Sequence, residues 1–195
     1  MGDKQPQSPS SDLERIADAV SGKSQLREAE RIRHFQMRIA RDGTWFYQGT
    51  PINRMPLVKL FSTVLRREAD GRYWLVTPVE RGLIDVDDAP FAAVEVTHLA
   101  GRSDDGSDDL LRFRTNLDAE VECGPDHPLR VVIDPETEEP SPYILIRDGL
   151  EARLTRSVFY ELAELARERE VGAERVYGVW SKGEFFPLGP VDPEC

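Results

Sequence analysis

Cysteine is scarce in this chain: of its 195 residues only Cys123 and Cys195 carry a thiol. Two thiols, one of them the last residue, provide no disulfide framework, and a reducing cytoplasm is the expected setting. Long apolar runs are missing too. No stretch approaches the roughly 18 residues of a membrane-crossing helix, so no membrane association is expected. The opening Met1-Gly2-Asp3-Lys4-Gln5-Pro6 has no apolar signal core, and Pro6 stands where myristoylation needs Ser or Thr. His34, His98 and His127 are the only histidines and lie scattered without ligand spacing, so no metal site is expected. The phosphate-cradling Gly-x-x-x-x-Gly-Lys, the dinucleotide Gly-x-Gly-x-x-Gly and the nucleophile elbow Gly-x-Ser-x-Gly are absent as well.

A surplus of positive charge is also lacking. The net charge is −11, and residues 80–139 hold 17 acidic against 5 basic side chains, so the acidity belongs to the middle of the chain. Duplex nucleic acid is therefore not an expected partner, because counterion release needs clustered Lys and Arg. A small anion needs only two or three local arginines and stays open. Hydrophobic residues at 39% and charged residues at 31% describe a globular chain.

What the chain does contain is a weak internal repeat. Arg41-Asp42-Gly43 returns as Arg147-Asp148-Gly149. Each copy is followed by an arginine, Arg54 or Arg156, that opens an amphipathic helix, and then by an aromatic strand, Tyr73-Trp74-Leu75-Val76 or Tyr177-Gly178-Val179-Trp180. Repetition of this kind suggests two related units with a ligand-sized seam between them.

The expected organisation follows the chain. Residues 1–11 are polar and rich in Pro and Ser, a disordered tail. Short helices are expected over 12–33, starting at a Ser11-x-x-Glu14 capping box and continuing from Gln25 to Arg33. The first repeat unit spans 34–85. Alternating Phe35, Met37 and Ile39 form a strand, Trp45-Phe46-Tyr47 its partner, and Leu57, Leu60, Phe61, Val64 and Leu65 a helical stripe stopped at Asp70-Gly71. Residues 86–139 read as an acidic β-rich segment joining the halves, with strands at Leu110–Thr115 and Leu129–Ile133 and a flexible acidic hairpin tip at 101–109. Glu136 to Pro142 reads as the linker into the second repeat unit, 140–195, where Lys182-Gly183 turns a hairpin. The class is α+β, two antiparallel-sheet-plus-helix units from an internal duplication.

The succession Arg-Asp-Gly…Trp…Gly-Thr-Pro-Ile, a Leu/Phe helix, Asp-Gly-Arg-Tyr-Trp-Leu-Val-Thr-Pro, Asp87-Asp88-Ala89-Pro90-Phe91 and Trp180-Ser181-Lys182-Gly183-Glu184-Phe185-Phe186 resembles a bacterial domain-of-unknown-function family, numbered 1285, over residues 34 to 190. The resemblance implies a duplicated core whose C-terminal half is superficially pleckstrin-homology-like. It also implies a nucleotide-like ligand between the halves and a role in signalling.

Arg54 and Arg156 at the helix starts, with Arg147 and Arg153 nearby in the second copy, are the leading candidate ligand contacts. A helix N-terminus offers N–H groups and positive dipole, and a guanidinium adds a bidentate phosphate clamp. The bland alternative is a solvated arginine or a pair with Asp42 or Asp148. Trp180, Ser181 and Lys182 at a hairpin tip form the second candidate set. Trp45, Trp74 and Trp180 suit base stacking, against the plainer role of core packing. Cys123 and His127 make a nucleophile–base pair only if held within hydrogen-bond reach, and an inert buried thiol is the commoner outcome. Asp104, Asp105, Asp108 and Asp109 lack the spacing of a calcium loop. The expected function is thus a cytoplasmic binding or signalling protein for a nucleotide-like anion at the seam. The alternatives are a protein-interaction module, or a hydrolase using Cys123 and His127. The sequence identifies no cofactor.

Overall fold

The computed structural model describes residues 13–17, 33–172 and 174–191. The expected tail 1–11, the Ser11 cap and all but the last residue of the expected Gln25–Arg33 helix lie outside them. Residues 13–17 are helical, and Arg33 already begins a strand. The chain divides into two compact units, with the boundary at Asp88/Ala89.

In the first unit, β1 (Arg33–Ile39), β2 (Trp45–Tyr47) and β3 (Thr50–Pro51) form a meander, helix α1 (Met55–Thr63) follows, and β4 (Leu65–Arg67), β5 (Tyr73–Val76) and β6 (Arg81–Val86) form a second meander. The expected alternation holds: Met37 and Ile39 are fully buried and Arg38 between them is exposed. The β1–β2 turn forms because Gly43 adopts φ +83° and the Asp42 carboxylate accepts from the Thr44 N–H at 2.9 Å. The Thr44 amide holds the Asp42 carboxyl below the usual carboxylate range.

Helix α1 buries Val58 and Phe61, whose ring stacks on Trp45 at 6.3 Å. It ends earlier than the apolar stripe predicts. Ser62 and Thr63 hydroxyls donate to the carbonyls of Lys59 and Leu60, each at 2.7 Å, which competes with helix propagation. Val64 becomes the C-cap, and Leu65, fully buried, opens β4 opposite Leu75. Asp70-Gly71 is thus the β4–β5 hairpin turn rather than a helix stop.

The second unit carries β7 (Phe91–Leu99), β8 (Leu110–Thr115), β9 (Glu120–Glu122), β10 (Leu129–Ile133), β11 (Pro140–Arg147) and β12 (Leu150–Leu154) in one sheet. Helix α2 (Arg156–Leu165) and a three-stranded sheet of β13 (Arg167–Val171), β14 (Glu174–Ser181) and β15 (Glu184–Pro190) complete it. Glu136 to Pro142, expected as the linker into the second repeat unit, instead lies in a hairpin: residues 134–139 turn β10 back onto β11, which pair antiparallel from Leu129↔Ile144 to Ile133↔Pro140. Asp134 closes that turn by accepting from Glu136 and Thr137 N–H groups at 2.9 Å. The core of this unit joins Phe91, Leu111, Phe113, Ile144, Leu150 and Ala152 to Val158 and Leu162 of α2 and Val179 and Phe186 of the small sheet.

The two six-stranded sheets share one strand order. Numbered by sequence within each unit, both read 3-2-1-6-5-4. The meanders are antiparallel, but the central pair is parallel in each case, β1 with β6 and β7 with β12, where the sequence predicts uniformly antiparallel sheets. The look-alike Arg-Asp-Gly turns differ in build. Residues 40–44 bridge Ile39 to Trp45, whereas Asp148 (φ +46°) and Gly149 (φ +73°) form a two-residue turn between paired Arg147 and Leu150.

Candidate functional site

Arg54 is the N-cap residue of α1. Arg156 is the first residue of α2, one position later, because Thr155 caps that helix. Both arginines are exposed. Neither helix has a side-chain cap hydrogen bond or an acidic residue in its first turn. Both starts carry partial positive charge beside a guanidinium, but α1 offers fewer donors, because Pro56 has no N–H and the Leu57 N–H donates to the Arg54 carbonyl at 2.9 Å.

The structure separates the other two arginines. β11 and β12 pair Tyr143 with Arg153, but a bulge after Leu145 puts Arg147 opposite Leu150. Along β12, Leu150 and Arg153 point to opposite faces, so Arg147 and Arg153 leave the sheet on opposite sides. Arg147 lies over the Phe91 ring, 5.3 Å from its centroid. Arg153 donates to Ser141 Oγ at 3.2 Å and approaches the Tyr143 ring. Arg130 covers the same ring at 4.5 Å and grips Glu151 through Nε and Nη2 at 2.6 and 2.7 Å.

The hairpin tip 180–183 is tied down. Lys182 (φ +52°) and Gly183 (φ +78°) form its two-residue turn. Ser181 is fully buried; its hydroxyl accepts from the Leu111 N–H at 3.0 Å and donates to the Cys123 carbonyl at 2.8 Å. Its bonding capacity is thus spent inside the second unit. Lys182 Nζ sits 2.6 Å from Glu122, which also takes Arg112 at 3.1 Å. These two cations hold the Glu122 carboxyl below its usual range. Trp180 is half-buried, edge-on to Phe185 and covered by Arg169 at 4.6 Å. Trp45 and Trp74 are core residues, each 1% exposed.

The acidic loop 101–109 is bonded to itself and to this tip rather than free. Asp108 accepts from the Arg102 and Ser103 N–H groups at 2.7 and 2.8 Å. Asp109 accepts from Gly101 N–H at 2.7 Å and meets His98 Nε2 at 2.8 Å. The Lys182 and Gly183 N–H groups donate to the Asp109 and Ser107 carbonyls at 2.9 and 3.1 Å. Among the described residues no group of three or more His, Cys, Asp or Glu is placed to hold a metal ion.

Cys123 is buried, and loss of solvation pushes its thiol up to about 12. A thiol so raised is a poor nucleophile at neutral pH. His127 Nδ1 lies 3.0 Å from the Leu145 carbonyl, so this nitrogen is the protonated one and is committed to the backbone.

A cleft of about 320 Å³ in the first unit is a feature that the sequence reading misses. It is lined by Arg15, Arg33, His34, Gln36, Tyr47 and Gln48, over Ile16 and Phe35. Gln36 (φ +52°) and Gln48 (φ +48°) both hold left-handed backbone, and the Gln48 N–H donates to the Gln36 carbonyl at 3.0 Å. Gln36 occupies an irregularity where the β1–β6 register shifts between His34 and Arg38. His34 Nδ1 accepts from the Gln36 N–H at 3.3 Å, and Nε2 faces Asp85 at 3.4 Å. Arg33 lies 3.5 Å from Glu80.

Two mixed six-stranded sheets, with a helix in each unit and a further small sheet in the second, define a mainly β protein of the α+β class. Residues 26–89 match the family described as "Domain of unknown function (DUF1285), N-terminal domain", and residues 90–188 match its C-terminal counterpart, "Protein of unknown function (DUF1285), C-terminal domain". The chain belongs to the DUF1285 family. It is similar to the crystal structure of a DUF1285 family protein from Silicibacter pomeroyi DSS-3, with 44% identity over 92% of this chain and 95% of that one, at a TM-score of 0.78. A DUF1285 family protein from Shewanella baltica OS155 shares 25% identity over 66% of this chain and 90% of that one, at a TM-score of 0.49. No curated protein matches the chain. Among the described residues no helix is long and apolar enough to cross a membrane.

Proposed function

We propose that the protein is a bacterial, cytoplasmic binding and signalling protein whose ligand is a small nucleotide-like anion held at the seam between its two units. The observation that carries this reading is the two helix starts, one in each unit. Arg54 and Arg156 are both exposed, and each stands where its helix offers N–H groups without a side-chain cap. A phosphate placed at either start meets the positive end of the helix and gains a guanidinium contact. Ligand binding then biases the arrangement of the units and so signals to a protein partner. The shared strand order 3-2-1-6-5-4 supports descent of both units from one duplicated ancestor. The pleckstrin-homology-like reading of the C-terminal half belongs to the same proposal, supported by a largely antiparallel sheet against which a single helix packs.

The test is thermal stability of the full chain against nucleotides, cyclic dinucleotides and nucleotide cofactors. A saturable rise of several degrees with one compound, lost in Arg54→Ala and Arg156→Ala, supports the reading. No rise at millimolar concentration, or an unchanged rise in both variants, refutes it and favours a protein-interaction module. The raised Cys123 thiol weighs against the hydrolase alternative.

A further inference from the structure

We infer that the first unit holds an anion site of its own, in the cleft between the helical segment 13–17 and strands β1 and β2, and that its ligand is a hydroxyl-bearing phosphate ester such as a sugar phosphate. Three independent features converge there. The first is electrostatic. In a chain of net charge −11, none of the eight described residues lining this cleft is acidic, while Arg15, Arg33 and His34 all line it. The carboxylates that face Arg33 and His34, those of Glu80 and Asp85, stand outside the lining. Two arginines lining one small volume favour a phosphate or carboxylate.

The second feature is the neutral polar complement. Gln36, Gln48 and Tyr47 add two carboxamides and a phenol to the wall, with Gln48 Nε2 donating to the Tyr47 hydroxyl at 3.3 Å. A carboxamide both donates and accepts, which matches hydroxyl groups rather than bare charge. The third is backbone. Gln36 sits inside a strand in a left-handed conformation that only a few per cent of non-glycine residues adopt, and its carbonyl accepts from the N–H of Gln48, the first residue of the two-residue turn between paired Tyr47 and Thr50. Such conformations concentrate at ligand clamps because the surrounding structure must maintain them. The 320 Å³ volume lies at the small end of ligand pockets, enough for a phosphorylated monosaccharide and too small for a dinucleotide. This site shares no residue with Arg54 and Arg156 and stands whether or not the seam binds a nucleotide.

The experiment is isothermal titration calorimetry of the full chain with ribose 5-phosphate, inorganic phosphate and ribose. Ribose 5-phosphate is expected to bind at one site, at least tenfold tighter than phosphate, with ribose silent. Arg15→Gln and Arg33→Gln should each weaken it at least tenfold. Arg54→Gln and Arg156→Gln should leave it unchanged, which separates this site from the seam. Glu80→Gln, which removes one carboxylate facing Arg33 without touching the cleft wall, should keep or tighten binding, an outcome that a merely structural role for Arg33 does not predict. The arginines are replaced at the rim, so melting curves of all variants should match wild type. The proposal is overturned by absence of saturable binding, by affinity no tighter than that of phosphate, or by affinity insensitive to both cleft arginines in folded variants.

Discussion

Replacing Ser181 by alanine removes one oxygen atom and orphans two backbone groups. The Leu111 N–H loses its acceptor at 3.0 Å and the Cys123 carbonyl its donor at 2.8 Å, and at 0% exposure of Ser181 no water is at hand to replace either. An unsatisfied buried polar group costs about 1–3 kcal/mol, and the two are not independent, so the expected loss is about 2–3 kcal/mol. For a chain of this length that corresponds to a fall in Tm of about 4–12 °C. The residual cavity of one hydroxyl adds little. Thermal and urea denaturation followed by circular dichroism measure the loss. Hydrogen exchange locates it, since the Leu111 amide should lose protection more than its neighbours in β8. A Tm within about 2 °C of wild type would refute the reasoning, and so would a large fall in Tm with the Leu111 amide still protected. The first result would mean that the hydroxyl is solvated in solution, and the second that the damage lies elsewhere.

Gly178→Ala should destabilise the small sheet by about 1–3 kcal/mol, because a Cβ there would stand 2.6 Å from the Phe186 carbonyl oxygen, a backbone atom that cannot step aside; an unchanged urea midpoint would overturn this. The Cys123 thiol titrates near 9.0 when unfolded and near 12 when folded, so its contribution is present below pH 9 and lost as pH rises toward 12, at about 1.4 kcal/mol per pH unit. The stability deficit of Cys123→Ala should therefore shrink between pH 8 and pH 10, as read by denaturation at each pH, and a constant deficit would argue that the thiol is solvated. Asp108, held low by the Arg102 and Ser103 N–H groups, orders its loop above the usual carboxylate range and releases it as pH falls through the lowered value. Asp108→Asn should speed exchange of the Arg102 and Ser103 amides at pH 7, with little change in Tm; exchange equal to wild type would show that the loop is held by other means.

Period-two patterns carry most of the strands. Leu111, Phe113 and Thr115 alternate with Arg112 and Arg114, and the structure buries the first set and half-exposes the second. The stripe over 57–65 overextends the helix because Val64 and Leu65 continue an apolar pattern that fits a helix and a strand equally well. Strand pairing over long sequence separations leaves no local mark, so the parallel β1–β6 and β7–β12 joins are not readable; the β10–β11 hairpin is local, but its acidic, proline-flanked turn reads equally well as a linker. Arg54 and Arg156 stand at helix starts as the sequence predicts, since Pro56 and the apolar spacing announce them. The segregation of Arg147 from Arg153 hangs on one bulge residue, and a bulge shifts a face without changing the pattern around it. Arg15, Arg33 and Gln48 come together only through the β1–β2 turn and the placement of a helical segment nearly twenty residues earlier. Their one local signal is Gln48-Gly49, a turn pair whose first member takes a left-handed backbone.

The shared strand order has a consequence for the order of folding. In each unit the first strand of the sheet lies beside the last, so the central pair joins residues about fifty apart in the first unit and about sixty in the second. Each meander can zip locally, but the row of hydrogen bonds that unites two meanders into one sheet waits for that sheet's final strand. With the division at Asp88/Ala89, the first sheet has all its strands before β7 is made. A nascent chain can thus close its first core while the second is still being synthesised, and the second unit can close its sheet only once β12 has emerged.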